Sequence, residues 1–466
     1  MKWKKLGKIF DPGQHLRGGG FVGFAQSPQA LEFDDFVRIY FSTREKDPYC
    51  AKFLSRIAFV DMDKSLRALM RVSSHEVIPL GKLGCFDEHG IFPMNVLRHG
   101  NKIHAYTCGW SRRVSVSVDT AIGYARSHDR GLTFQKLGDG PILAASLREP
   151  FLVGDPFVRV YDDIFHMWYI YGTQWKSYGE GEPAERIYKI AHATSTDGID
   201  WHRESRQIIA DHLPDESQAL PTVIAFNGIF HMLFCYRHSS DFRHNRNRSY
   251  RIGYAFSYDL QDWIRDDSAA GIETTEGDWD ADMLCYPHLF RCEDRICLLY
   301  NGNEFGRSGF GLAELQTPHS DWISRLKTAS ADQIAAHLDQ CSDQFEPALK
   351  NRIDLSEYSR KLFERSVTFE AWDQNRLVGL LAAYINDPHK GTGFITSVST
   401  VASHAGRGIA STLLGYCAHY ARIRGFATLR LEVSAQNSGA VRLYQKHGFA
   451  PVGDQGASLF MERRIV

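Results

Sequence analysis

The 466-residue chain carries two different apolar periodicities, one on each side of about residue 320. Before that point, short runs rich in aromatic and β-branched residues recur: FVRIYFSTR from Phe36, KIHAYTCGW from Lys102, IFHMWYIYG from Ile164, IFHMLFCYR from Ile229 and RICLLYNGN from Arg295. Their starts lie 66, 62, 65 and 66 residues apart. Runs of this composition predict strands, and self-similarity at a fixed period predicts a repeat architecture. Each run follows a turn signal (EFDD, RHGN, YDD, FNG or CED) and, before it, another apolar strand, so the pairs read as hairpins. A second element follows in three units, starting at Ala121, Lys189 and Arg251: a strand, a polar turn around Asp129, Asp197 or Asp259, and an aromatic residue opening the next strand. About four strands in roughly 60 residues make one propeller blade. Five units predict an all-β five-bladed propeller over residues 1–318.

The period changes at TPHSDW, Thr317 to Trp322. Apolar spacings of three and four in SRLKTASADQIAAHLDQC from Ser324 and DLSEYSRKLFERS from Asp354 predict two helices. Strands follow in TFEAWD and RLVGLLAAYIN, joined by a turn at Asp373 to Asn375. Then come the strand GFITSVSTVA, the helix IASTLLGYCAHYARIRG, the strand ATLRLEVS, the helix SGAVRLYQKHG and a last strand, ASLFMERRI. This order predicts a mixed α/β domain over residues 322–466, and the chain as a whole is multidomain.

Charge and composition narrow the function. With 54 Lys+Arg against 55 Asp+Glu, no overall positive field attracts nucleic acid or an anionic membrane. No apolar run approaches the roughly 18 residues of a membrane span. The basic start MKWKKLGKIFDPGQ lacks the apolar stretch of about 7 to 15 residues that a secretory signal needs. A cytoplasmic protein is expected. Nine cysteines, an odd count without any CxxC, argue for reduced structural thiols rather than a disulfide framework or a zinc cluster. Cys292 and Cys297 flank a hairpin turn in RCEDRIC, and no metal site is predicted.

Inner strands of propeller blades converge on one axis, so the candidate chemistry lies in FAQSPQAL, IFPMNVL, LVGDPFVRV, ESQALPTVIA and WDADMLCYPHLF. Their carboxylates are Asp155, Glu216, Asp280 and Asp282; the ends of the second strands add Arg44, Trp110, Arg237, His238, Asn301 and Asn303. Acids, arginines, amides and aromatic faces together suit a sugar. Asp155, Glu216 and Asp282 are the candidate catalytic acids, and Arg44, Arg237, Asp280, Asn301 and Asn303 the candidate substrate contacts. The competing readings make Asp155 a turn cap before Pro156 and Glu216 a solvated loop acid. Asp129, Asp197 and Asp259 recur where turn chemistry wants them and read as structural. So do His166 and His231, in mid-strand without metal-ligand spacing, and the packing aromatics Phe134, Trp201 and Trp263.

The stretches Trp279 to Leu315 and Leu220 to Trp263 resemble the five-bladed propellers of glycoside hydrolase families 32, 43 and 130, notably the predicted glycosidases of bacterial surface-polysaccharide loci. The resemblance covers about two-thirds of the chain and implies hydrolysis by two carboxyl groups, about 5 to 5.5 Å apart for retention or 6.5 to 9.5 Å for inversion. Those families normally place one acid on the first inner strand, where this chain has Gln26-Ser27-Pro28. Asp155, Glu216 and Asp282 would then be a relocated set.

The second domain centres on VASHAGRGIASTLL, where a strand enters a loop, Ser403 to Gly408, and a helix begins near Ile409. Gly406 and Gly408 let the backbone approach a ligand, and a helix N-terminus favours pyrophosphate. With NSGAVRLYQKHGF downstream (Asn437 to Phe449), this resembles the acetyl-coenzyme A fingerprint of the GNAT superfamily of N-acetyltransferases; one departure is Ala405, where Arg or Gln is usual. The resemblance implies acetyl-CoA as acyl donor, with Val401 and its neighbours pairing with the pantetheine arm. Arg407, Gly408, Ile409, Ala410 and Ser411 would cradle the pyrophosphate, Asn437 would touch the cofactor, and Tyr444 would protonate the departing thiolate. Glu432, Glu370 and His404 are open candidates for the general base, and Cys417 reads as core.

A sugar-type propeller joined to an acetyltransferase implies one pathway and a shared substrate class. The leading expectation is a bifunctional enzyme of bacterial surface-glycan biosynthesis that acetylates a free or nucleotide-linked amino sugar and hydrolyses a glycosidic or sugar-nucleotide bond. The alternatives are a propeller that only binds glycan, and a protein or peptide amine as acceptor.

Overall fold

The computed structural model describes residues 1–16, 22–316, 322–345, 348–386, 391–455 and 458–465. The junction expected at Thr317 to Trp322 lies, up to Asp321, outside them. Two compact units divide the chain. One is Met1–Ile224 with His231–Phe256 and Leu260–Thr317; the other is Pro318–Val466 with Ala225–Phe230 and Ser257–Asp259.

Among the described residues, twenty strands belong to the sheet-rich part. They are β1 (Trp3–Phe10), β2 (Gln26–Glu32), β3 (Val37–Lys46), β4 (Phe53–Met62), β5 (Leu69–Val72), β6 (Gly90–His99), β7 (Lys102–Arg112), β8 (Val118–Ser127), β9 (Gln135–Lys136) and β10 (Val153–Tyr161). The series continues with β11 (Ile164–Lys176), β12 (Glu185–Ser195), β13 (His202–Arg203), β14 (Glu216–Phe226), β15 (Ile229–His238), β16 (Arg251–Ser257), β17 (Ile264–Arg265), β18 (Cys285–Cys292), β19 (Arg295–Asn301) and β20 (Phe310–Leu315). A one-turn helix, α1 (Pro12–His15), and a tight turn, α2 (Asn303–Gly306), in which Glu304 and Phe305 are left-handed at φ of 55° and 58°, lie between strands.

Strands β10 to β13 and β14 to β17 form four-stranded sheets in chain order, and β1-β20-β19-β18 forms another, in which β1 pairs antiparallel with β20. Strands β2 to β9 share a sheet, but β4 and β6 meet at a single parallel pair, Ser55 with Gly90. The sheets stack through their apolar faces. Ile39, Phe41 and Val60 pack against Leu299 and Phe310, Tyr40 and Phe59 against Met94 and Val96, and Tyr106 and Tyr124 against Met167 and Tyr169. The repeated turns hold as Ser-x-Asp pairs: Ser127, Ser195 and Ser257 donate to Asp129, Asp197 and Asp259 at 2.7, 2.9 and 3.1 Å.

The first strand of each repeat carries an X-Pro step at one position: Ser27-Pro28, Phe92-Pro93, Asp155-Pro156, Leu220-Pro221 and Tyr286-Pro287. The ladder shifts register across this step in β2, β6, β10 and β18, as proline requires where it cannot donate. Ser27, Asp155, Leu220 and Tyr286 adopt φ of 52°, 49°, 48° and 57°, a left-handed conformation that re-aims the side chain at a bulge.

The second unit is a seven-stranded sheet of β21 (Ile323–Leu326), β22 (Val367–Asp373), β23 (Arg376–Tyr384), β24 (Thr392–Thr400), β25 (Thr428–Ser434), β26 (Ala450–Gln455) and β27 (Ser458–Arg464), ordered β21-β22-β23-β24-β25-β27-β26. Its helices are α3 (Ala331–Cys341), α4 (Leu355–Arg365), α5 (Ile409–Ile423) and α6 (Ser438–Lys446). Ser330 and Gln333 form a capping box on α3, and Asp354 caps α4. Two expectations need correction. The helix expected from Ser324 starts only at Ala331, because Ile323–Leu326 pairs with β22, and β26, absent from the expected order, closes the edge beyond β27. Sheet pairing overrides local propensity in both places.

Candidate functional site

In the first unit three of the five X-Pro positions, Phe92, Asp155 and Tyr286, line a cavity of about 420 Å³. Its aromatic lining is Phe53, Phe92, Trp110, Tyr188, Tyr250 and Tyr286, and its charged lining Arg44, Lys52, Arg112, Arg186 and a single carboxyl, Asp155. Tyr286 stands edge-on to Phe92 at 5.3 Å and to Tyr250 at 5.7 Å, which fixes an aromatic wall. Asp155 is 7% exposed, and the hydrogen bond it accepts is from the Leu220 amide at 3.3 Å. Burial therefore dominates and pushes its carboxyl up to about 7, against the opposing pull of that bond and of Arg186.

Arg44 donates Nε to Gln26 Oε1 at 3.2 Å and lies over the Phe24 ring, and burial lowers its pKa. Among the described residues neither Arg44 nor Arg186 is in an ion pair, whereas Arg112 pairs with Asp47 at 2.6 Å. Arg237 stands behind the lining, 1% exposed, against the rings of Phe242, Tyr250 and Tyr188 at 3.5, 5.4 and 5.5 Å. It donates to Tyr188 Oη at 3.0 Å, and Tyr188 and Tyr250 share a hydroxyl–hydroxyl bond of 2.9 Å.

Of the three candidate acids, only Asp155 reaches the cavity. Glu216 is fully buried elsewhere. Its Oε1 takes Arg265 at 2.6 Å and Gln218 at 2.9 Å, and its Oε2 takes the amides of His212 and Leu213 at 3.1 Å each. That carboxylate has no lone pair left for chemistry, so it is neither a solvated loop acid nor part of an acid pair. Asp282 is exposed and outside the cavity lining. Two expected sugar contacts, Asp280 and Asn301, are likewise buried, and a third, Asn303, is half-buried and outside the cavity lining. Asp280 pairs with Lys5 at 2.6 Å and accepts from Tyr300, and Asn301 bonds the Ser27 amide and the carbonyls of Ala25 and Gly309 at 2.7–2.8 Å. Asn303 accepts the Asp282 amide at 2.8 Å. Arg44 and Trp110 both line the cavity.

Sequence reasoning passed over Phe92, Arg186, Tyr188, Tyr250 and Tyr286. A usable signal existed for two of them, the fivefold X-Pro step that places Phe92 and Tyr286 in register with Asp155. Arg186, Tyr188 and Tyr250 carry no such mark.

In the second unit β24 and β25 run parallel and pair from Thr392/Thr428 to Ile395/Leu431, then separate although both continue. The parted strands leave backbone groups available to an extended ligand. β24 leads through Ala402–His404 into Gly406 (φ 76°) and Gly408 (φ 81°), the residue before α5. The first bond back to Gly408 comes from the Thr412 amide at 3.0 Å, so the amides of Ile409, Ala410 and Ser411 form the opening turn and its positive dipole end. Gly408 and the exposed Arg407 flank that turn.

Details differ from expectation. The Val401 amide donates to the Val378 carbonyl at 2.9 Å, so it is not open to an extended ligand. Ser411 Oγ bonds His447 Nε2 at 2.6 Å, which ties α5 to the end of α6. Asn437 Oδ1 caps α6 through the Ala440 amide at 3.0 Å. Tyr444 lies on α6 with its ring edge-on to Phe449 at 6.1 Å, no hydrogen bond to its hydroxyl among the described residues, and a pKa pushed up to about 12 by burial. Among the base candidates Glu370 is excluded, since Thr328, Ala329, Thr368 and Trp372 all donate to it. Glu432 is exposed where β24 and β25 part, and His404 Nε2 lies 3.3 Å from Asp373. Burial raises the Cys417 thiol, consistent with a core role.

Residues 332–449 match the Acetyltransferase (GNAT) family. Over 318 residues the chain is 32% identical to an uncharacterized protein of Mycobacterium tuberculosis, covering 68% of this chain and 100% of that one. It is also 31% identical over 115 residues to N-acetyltransferase 8F1 of Rattus norvegicus, 23% of this chain and 51% of the relative. A solved glycoside hydrolase shares the fold of the sheet-rich part at a TM-score of 0.52 and 15% identity, covering 68% of this chain and 92% of that one. Among the described residues no helix is long and apolar enough to cross a membrane, and no cluster of metal-ligating side chains occurs.

Proposed function

We propose, for a chain that belongs to the same family as the mycobacterial protein over its first two-thirds and ends in a GNAT acetyltransferase domain using acetyl-CoA, that the acyl acceptor is an amino sugar and that the sheet-rich part holds sugar. The observation that carries the acetyl-transfer half is the parting of β24 from β25 directly before the glycine loop and α5. Bound there, the donor supplies an activated thioester. Gly408 and the opening amides of α5 orient its phosphates, and Tyr444, held protonated by burial, donates to the leaving sulfur. The acceptor amine attacks directly, and Cys417 takes no part.

The sheet-rich part, residues 1–318, is read as five blades divided at the Ser55–Gly90 junction, with β1 completing the last blade beside β20. Phe92, Trp110, Tyr250 and Tyr286 offer stacking faces for a sugar around Asp155. One carboxyl in the cavity falls short of the pair that glycoside hydrolysis ordinarily uses, which favours a glycan-binding propeller over the bifunctional reading. A hydrolytic role keeps one support, the near-neutral pKa of Asp155, suited to a general acid. Nine free cysteines support a cytoplasmic setting.

The test is thiol release from acetyl-CoA against free and nucleotide-linked amino sugars, with products read by mass spectrometry. Acetylation of an amino sugar supports the reading, and loss of a nucleotide or glycan in the same sample would restore hydrolysis. Turnover confined to peptide amines would overturn the sugar assignment.

A further inference from the structure

The cavity is lined by four basic side chains, Arg44, Lys52, Arg112 and Arg186, against the carboxyl of Asp155, beside hydroxyl and amide groups that both donate and accept. Arg44 comes from β3 and Arg186 from β12, and neither is in an ion pair among the described residues. The third contribution follows from counting hydrogens. Arg237 donates to Tyr188 Oη, and Tyr188 and Tyr250 share one bond, so of their two hydroxyl hydrogens only one is used. Whichever tyrosine keeps the other, that hydrogen meets no acceptor among the described residues, and its oxygen is polarised by the guanidinium behind it. Arg237, held among rings rather than by a carboxylate, sends its charge towards the same wall. Half-buried guanidinium groups are costly to keep without full charge compensation, and the one carboxyl in the same lining, Asp155, holds its proton up to about pH 7. A neutral sugar would leave them uncompensated; a sugar with its own negative charge would not.

We infer that the cavity takes an anionic sugar, one bearing a carboxylate or a phosphate, with Arg44 and Arg186 on the charged group and the Tyr188–Tyr250 pair donating to it. This rests on the proposal that the propeller holds sugar, and narrows its class. Asp155 fits the arrangement, since a carboxyl with a pKa near 7 contributes little opposing charge on the acid side of neutrality.

The test is calorimetric titration of the full chain with glucuronic acid, glucose 1-phosphate, glucose and inorganic phosphate. Expected is at least a tenfold preference for one charged sugar over glucose, weakening with salt. Arg186→Met should remove that preference and Arg186→Lys should restore part of it, each with an unchanged far-ultraviolet spectrum. Which charged sugar binds separates the carboxylate source from the phosphate source. Equal or tighter binding of glucose overturns the anion assignment and leaves the sugar reading standing. Binding of phosphate without any sugar does the reverse. Binding of no probe overturns both.

Discussion

Asp155 and Leu220 hold the same place in successive repeats, each in left-handed backbone before a proline, and the Leu220 amide donates to Asp155 Oδ2 at 3.3 Å. One long bond is poor compensation for a buried carboxylate, which is why the proton stays on Asp155 to about pH 7. Unfolded, the group titrates near pH 4. Between those values the native state binds the extra proton, so stability from this group falls as pH rises through about 7. Asp155→Asn should flatten that slope. The wild-type-minus-variant difference in urea midpoint between pH 5 and pH 8 measures it, and identical slopes would refute the assignment.

Glu216 and Arg265 are both buried, 2.6 Å apart, and Glu216 also receives two amides. Glu216→Ala leaves Arg265 its second carboxylate, Asp267 at 2.8 Å, but takes the acceptor from the His212 and Leu213 amides, and should cost about 1–3 kcal/mol of stability, read from the denaturant midpoint. Asp282→Asn, at an exposed position, should change stability by less than about 0.5 kcal/mol. A normal midpoint for Glu216→Ala with lost sugar turnover would return that residue to the catalytic set.

Tyr444→Phe keeps the buried ring and removes only the hydroxyl. Acetyl transfer should slow by about 10²-fold or more in kcat, with the KM for acetyl-CoA nearly unchanged. Stopped-flow thiol release separates the two constants. A rise in KM alone would make the hydroxyl a binding group.

Gly408 has φ of 81° and open space where a Cβ would stand, so conformation, not crowding, requires glycine. Gly408→Ala should cost about 1–2 kcal/mol in the left-handed backbone and weaken coenzyme A binding several-fold by turning the opening amides of α5. Titration with coenzyme A checks this, with Ala410→Gly as a control that leaves the loop conformation free.

Much was legible from order along the chain. Repeats near 65 residues mark the sheet-rich part because each unit must rebuild the same strands, and the glycine loop before Ile409 with Asn437 to Phe449 marks the acetyltransferase because helix starts and tight turns are written locally. The strand Ile323–Leu326 was not legible, since its only reason to extend is its neighbour β22. Nor was the fate of the acids. Asp155, Glu216 and Asp282 look alike as letters, yet a bulge turns one into a cavity, an arginine 49 residues away neutralises the second, and the third stays in water. Backbone periodicity depends on neighbours in sequence and survives in the sequence by itself. The charge state and accessibility of a side chain depend on which distant groups surround it, and only the tertiary structure decides that.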